Sequence, residues 1–135
     1  MDLSRPYFIA ELSGNHNGSL SRAKDIIYNI SLTGANAVKL QTLNPEKITL
    51  NIDSDHFLVN DPSSLWHGRS LHSLYSQSCT PWEWHAELFH FATSLGLECF
   101  SSPFDLDAVD FLESINCPFY KIASFENSYE DLLLK

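Results

Sequence analysis

The chain has 135 residues, 44% of them hydrophobic, which is enough to bury a core of its own as one domain. Eight Lys and Arg against 17 Asp and Glu give a net charge of −9, which argues against nucleic acid or an anionic membrane as the main partner. An anionic small molecule stays open, because a few lysines gathered in one place override the global field.

Tyr7–Leu12 (YFIAEL) is a compact apolar run ended by the Gly/Asn cluster SGNHNGS, which reads as a buried strand and a loop. Ser19 is placed to cap a helix with Ala23, Ile26, Ile27 and Ile30 on one face, and Gly34 supplies the stop. NAVKLQT is a second strand. From about Leu43 to Cys79 the rhythm breaks into Pro, Asp and Asn turns, with one short helix expected near Leu71–Ser76. Thr80-Pro81-Trp82-Glu83 predicts a helix start, with a Thr cap, Pro at the first position and Glu three after the cap. His85, Leu88, Phe89, Ala92 and Leu95 form its apolar face, and Gly96 ends it. LECFSS is a third strand, and Asp105 opens a helix with Ala108, Phe111, Leu112 and Ile115 inward. PFYKIAS reads as a fourth strand, and Ser128 with Asp131 as the start of a last helix carrying Leu132–Leu134.

Strands alternating with helices predict an α/β fold with a parallel sheet. A doubly wound sheet and a (β/α)8 barrel both satisfy that order. A barrel takes about 250 residues, so this chain would hold half of one. Three cysteines (Cys79, Cys99, Cys117) form no CxxC and suggest neither a disulfide framework nor a zinc knuckle. The first residues do not read as a charged leader followed by an apolar stretch, and no run is long enough to span a bilayer. A reducing cytoplasm is the expected setting.

Charged and polar groups gather where strands end: Glu11, then Lys39 and Gln41, then Ser101-Ser102, then Lys121 followed by Ser124 and Glu126. In a parallel α/β architecture these ends share one face, where active sites form. A lysine inside an apolar strand needs a partner, and two of them at separate strand ends suit an anion. Lys39 and Gln41 are two apart and point to one side of the sheet. Glu11 reads either as a structural partner for a lysine or as a reacting acid. Ser101 and Ser102 precede Pro103 and also suit a turn-shaping role. His16 in GNHNG has no second ligand at metal spacing, so a loop role competes with a ligand contact. Trp82, Trp84, Phe89 and Phe91 read as helix packing.

The segments FIAELSGNHNGSLSRAK, GANAVKLQT, TPWEWH, CFSSPFD, AVDFLE and YKIASFE, in this order, resemble the N-terminal half of the sialic acid synthase (N-acetylneuraminate synthase-like) family. The likeness runs from about Arg5 to Lys135. Within the family, ELSGNHNGS, SLWHGRSLHSLYSQSCTPWEWHAELF and CFSSPFD…YKIASFEN are most similar to the pseudaminic acid synthases. The resemblance implies that residues 1–135 are about four βα units of a (β/α)8 TIM barrel, without the second half and the antifreeze-like domain. It implies condensation of phosphoenolpyruvate with an open-chain N-acetylated aldose, here a 2,4-diacetamido-2,4,6-trideoxy-altrose, to a nonulosonic acid plus phosphate. By the same resemblance Lys39, Ser102, Lys121 and Ser124 match phosphoenolpyruvate binders. Glu11 and Glu126 match acids near the reacting carbons, and Gln41, Asn15 and His16 the sugar side. The family uses a divalent metal, manganese as a rule, with ligands expected outside this chain, and it forms homodimers. The isolated chain is expected to be inactive. The alternatives are a neuraminate or legionaminate synthase, against which the TPWEWH region argues, and a non-catalytic half-barrel interaction module.

Overall fold

The computed structural model describes residues 5–135. Three parallel strands, β1 (Ile9–Glu11), β2 (Ala37–Thr42) and β3 (Glu98–Pro103), lie in the order β1-β2-β3. Helices α1 (Leu20–Ser31), α4 (His85–Ser94) and α5 (Leu106–Ser114) pack against one face of this sheet. Between β2 and α4 runs an excursion with two helices, α2 (Pro45–Ile48) and α3 (Leu71–Ser78). A short α6 (Glu130–Leu134) follows.

The register divides the strand residues cleanly. Lys39 pairs with Glu11 on one side and Phe100 on the other, and Gln41 pairs with Ser102. Side chains alternate along each strand, so these five share a face. Leu12, Val38, Leu40 and Cys99 take the opposite face and join Ala23, Ile27, Leu88, Ala92 and Leu112 in the buried core. The helices therefore cover one side and leave the other to the charged residues.

The expected caps hold at two helices. Ser19 Oγ accepts from Arg22 N (3.3 Å), and Asp105 Oδ1 accepts from Ala108 N (3.0 Å). Gly34 and Gly96 take φ of +82° after α1 and α4, a conformation that favours glycine. Three expectations need correction. Thr80 caps nothing, because its buried hydroxyl bonds to His16 Nε2 (3.2 Å), and the chain enters α4 through a 3-10 turn over Trp82–Trp84. Ser128 does not cap α6 either, since its hydroxyl donates to Phe125 O (3.2 Å). The PFYKIAS segment is no strand: it holds to β3 through one bridge, Ser101 with Tyr120, and Lys121 N→Ser101 O at 3.1 Å. Pro118 lacks a donor, and pairing along one edge alone leaves the ladder short.

The excursion is pinned rather than loose. Leu58 and Ser70 form an antiparallel bridge, with Val59 N→Arg69 O and Gly68 N→Val59 O both at 2.9 Å. His72 Nε2 lies 2.7 Å from Glu46 Oε1, joining α3 to α2. Among the described residues no helix is long and apolar enough to cross a membrane.

Candidate active site

Lys39 is 7% exposed, the third of the six residues of the central strand. Its Nζ lies 2.5 Å from Glu11 Oε2 and 3.5 Å from Ser102 Oγ. One buried cation thus joins an acid from β1 and a hydroxyl from β3. Burying an ammonium is tolerated only with such partners, and Glu11 itself stays partly open to solvent. Tyr120 bridges Ser101, and Lys121 N donates to Ser101 O at 3.1 Å, which brings the Lys121 backbone alongside the end of β3. Lys121 and Ser124 are exposed, and among the described residues their side chains form no ion pair or hydrogen bond. Lys121 offers a charge that the fold leaves uncommitted.

Beside this cluster opens a cavity of about 690 Å³, lined among others by Asn15, Gln41 and Glu126, a size typical of small-ligand sites. Asn15 Nδ2 donates to Leu12 O (3.0 Å), and Gln41 Oε1 accepts from Ser13 Oγ at 3.5 Å. Glu126 Oε2 is buried without any hydrogen-bond partner. An unpaired buried carboxylate oxygen is costly, and this one is shut off from solvent although Glu126 as a residue lines the cavity. Gly14 closes the rim, because a Cβ there would stand 2.8 Å from Ser78 Cβ. Only glycine lets the first loop touch the end of α3 this closely.

His16 departs from the sugar-side expectation. It is 0% exposed, its Nδ1 accepts from Gly18 N (3.1 Å), its Nε2 bonds Thr80, and its ring meets Trp84 edge-on. With both nitrogens engaged it shapes the loop from behind, and burial holds its pKa below the usual histidine value.

A second buried constellation was not visible as such in the sequence. On the helix side of the sheet Thr42 Oγ1 lies 2.7 Å from Ser101 Oγ and 2.9 Å from His85 Nε2. His85 Nδ1 donates to Pro81 O (3.1 Å), so the neutral ring accepts from Thr42. The signal available was His85 on an apolar helix stripe opposite a threonine at a strand end. This clamp fixes the last residues of β2 and β3, and so the facing directions of Gln41 and Ser102. Burial pushes the His85 pKa down to about 4. An unfolded histidine titrates near 6.5, so the unfolded chain binds the extra proton first. Stability is full above about pH 6.5 and declines as pH falls toward 4. Between pH 7.5 and 5.5 we expect a loss on the order of 1 kcal/mol, read as a lower urea midpoint by tryptophan fluorescence. His85→Gln should flatten most of that slope.

Arg69, Trp66 and Tyr75 also line the cavity. They were not singled out from the sequence, because the excursion has no periodicity that tells a wall from a loop. Among the described residues no three of His, Cys, Asp and Glu come together as a metal-holding group. The described residues therefore do not make up a divalent-cation site.

Residues 26–135 match the model of the NeuB family. The pseudaminic acid synthase of Helicobacter pylori is 49% identical over 133 residues, covering 98% of this chain and 38% of that protein. That of Campylobacter jejuni serotype O:2 is 43% identical, covering 94% of this chain and 36% of its own length. The chain thus spans under two fifths of the length of these relatives. Among solved structures, the N-acetylneuraminic acid synthetase of Leptospira borgpetersenii, in complex with citrate, superposes with a TM-score of 0.74 at 26% identity. That match covers 96% of this chain and 40% of the other.

Proposed function

The chain belongs to the NeuB family, and from that premise we propose that it is the N-terminal half of the (β/α)8 barrel of a pseudaminic acid synthase. The observation that carries the reading is Lys39, buried against Glu11 and Ser102, with the Lys121 backbone bonded to the neighbouring Ser101. Two ammonium groups and two hydroxyls, Ser102 and Ser124, suit the phosphate and carboxylate of phosphoenolpyruvate. The donor's C3 forms a bond to the aldehyde carbon of the open-chain sugar. Water adds to the donor's C2, whose bond to the phosphate oxygen breaks and releases phosphate. Lys39 and Lys121 stabilise charge gathering on the departing phosphate. Glu11, in contact with Lys39, and Glu126, a residue lining the cavity, are the groups assigned to move protons at the reacting carbons and the water. Gln41 and Asn15 orient the sugar from the cavity side.

The expected divalent metal, manganese, would find its ligands outside these residues. The protein is placed in the cytoplasm and, when complete, as a homodimer. Its three thiols, all unpaired, are compatible with a reducing compartment.

The test joins residues 1–135 to the remaining C-terminal part of the Helicobacter pylori synthase. Phosphoenolpyruvate and 2,4-diacetamido-2,4,6-trideoxy-altrose should give the nonulosonic acid and an equal amount of phosphate. The 135-residue chain alone should give neither. A folded fusion that releases no phosphate with this pair, or product from the chain alone, would overturn the proposal.

A further inference from the structure

The loop after β1 holds a conformation that needs support. Ser13 and Asn17 take φ of +49° and +48°, in the left-handed region that is strained for residues other than glycine. Such strain persists where the surroundings fix it, and it gathers at working sites. Ser13, Gly14, Asn15 and Asn17 all line the cavity. His16, among them in sequence, is instead 0% exposed, behind the loop. Its Nδ1 accepts from Gly18 N (3.1 Å), so the neutral ring carries its proton on Nε2 and donates to Thr80 Oγ1 (3.2 Å). Burial lowers its pKa and so favours that neutral ring. Gly14 meets Ser78 on the same segment. The loop is thus fastened at two points to the end of the excursion. The fastening reaches further, because the neighbouring Pro81 O accepts from His85 Nδ1, and His85 Nε2 meets Thr42 at the end of β2. Two buried histidines share one dipeptide, Thr80-Pro81, between the cavity loop and the sheet.

Resting on the synthase reading above, we infer that His16 is a positioning residue for the sugar side of the reaction: touching neither substrate, it holds the loop to Thr80 and so sets where Asn15 meets the sugar. On its N-terminal side Asn15 is tied to Leu12 O, through N (3.2 Å) and Nδ2 (3.0 Å). On its C-terminal side, the side chain that ties the loop to another element is His16. Lys39, Glu11 and Ser102 are held differently, by the register of the three strands. Loss of the His16 bond therefore shifts the sugar side and leaves the donor side in place. A small misplacement of an orienting group is enough to weaken a substrate's engagement.

Steady-state kinetics of the fusion described above test this. His16→Asn keeps an acceptor for Gly18 N but is too short for Thr80, and it should raise KM for the sugar about tenfold while KM for phosphoenolpyruvate changes by no more than about twofold. Thr80→Val removes the same bond at matching volume and should do the same, and the double variant should be no worse than either. His16→Gln, whose amide nitrogen reaches Thr80, should recover most of the sugar KM. In the 135-residue chain, NMR titration should find phosphoenolpyruvate affinity within about twofold of wild type for every variant. An unchanged sugar KM in His16→Asn, equal losses on both substrates, losses that add in the double variant, or no recovery with His16→Gln overturns the inference and leaves the synthase reading standing. If His16→Asn does not fold, Thr80→Val decides by the same split between the two KM values. A wild-type fusion that releases no phosphate counts against the synthase reading itself, and the inference falls with it.

Discussion

Lys39→Met is expected to weaken phosphoenolpyruvate binding by roughly a hundredfold, about 3 kcal/mol. Methionine has a similar length and apolar character, so the strand position stays filled. What disappears is the ammonium that bonds Glu11 and touches Ser102. The loss is compounded, because Glu11 then keeps an unpaired negative charge beside the place meant for an anion. Lys121→Met is the comparison. That side chain is exposed and forms no ion pair or hydrogen bond among the described residues, so its removal takes away one charge without stranding another. Its expected loss is smaller, about tenfold. NMR titration of both variants checks this, with near-ultraviolet circular dichroism confirming the fold. Equal affinity for wild type and Lys39→Met would remove Lys39 from the binding role.

Leu40→Ala is expected to cost about 2–5 kcal/mol. Leu40 is 0% exposed, on the central strand, facing the helices in the core cluster. A small domain has a total stability of about 5–15 kcal/mol. One face of this sheet carries no helices, which puts the chain near the lower end. The variant should therefore show a large fraction unfolded at 25 °C and a urea midpoint shifted far to the left. Leu65→Ala provides the contrast: at 96% exposed it should change stability by no more than about 0.5 kcal/mol. Comparable midpoints for the two variants would contradict the placement of Leu40.

Much of the fold was legible because periodicity and caps agree with packing. Ala23, Ile27 and Ile30 are buried as the helical spacing requires, and the AVKLQT strand alternates faces as a two-residue period demands. The errors arise where one side chain had two partners to choose between. Thr80 looked like a cap from its neighbours, yet a buried imidazole 64 residues away in sequence claims its hydroxyl. PFYKIAS has a strand's composition but meets a partner on one edge alone. At the candidate site, Glu11, Lys39 and Ser102 were visible as strand-end groups, and the register brings them together. Arg69 and Trp66 were not visible, because their position depends on how the excursion folds back through the Leu58–Ser70 bridge.

Ser101 and Ser102 are chemically identical neighbours with separate duties, one tied to Thr42 within the core and one in contact with Lys39. Because alternation assigns them, neither can stand in for the other: losing a single residue upstream in β3 would swap their directions, turning a structural hydroxyl toward the ligand and the ligand's hydroxyl into the core. The chemistry of this region therefore tolerates changes of side chain far better than changes of length, and insertions or deletions in homologous chains should be found in the loops and never between Glu98 and Ser102.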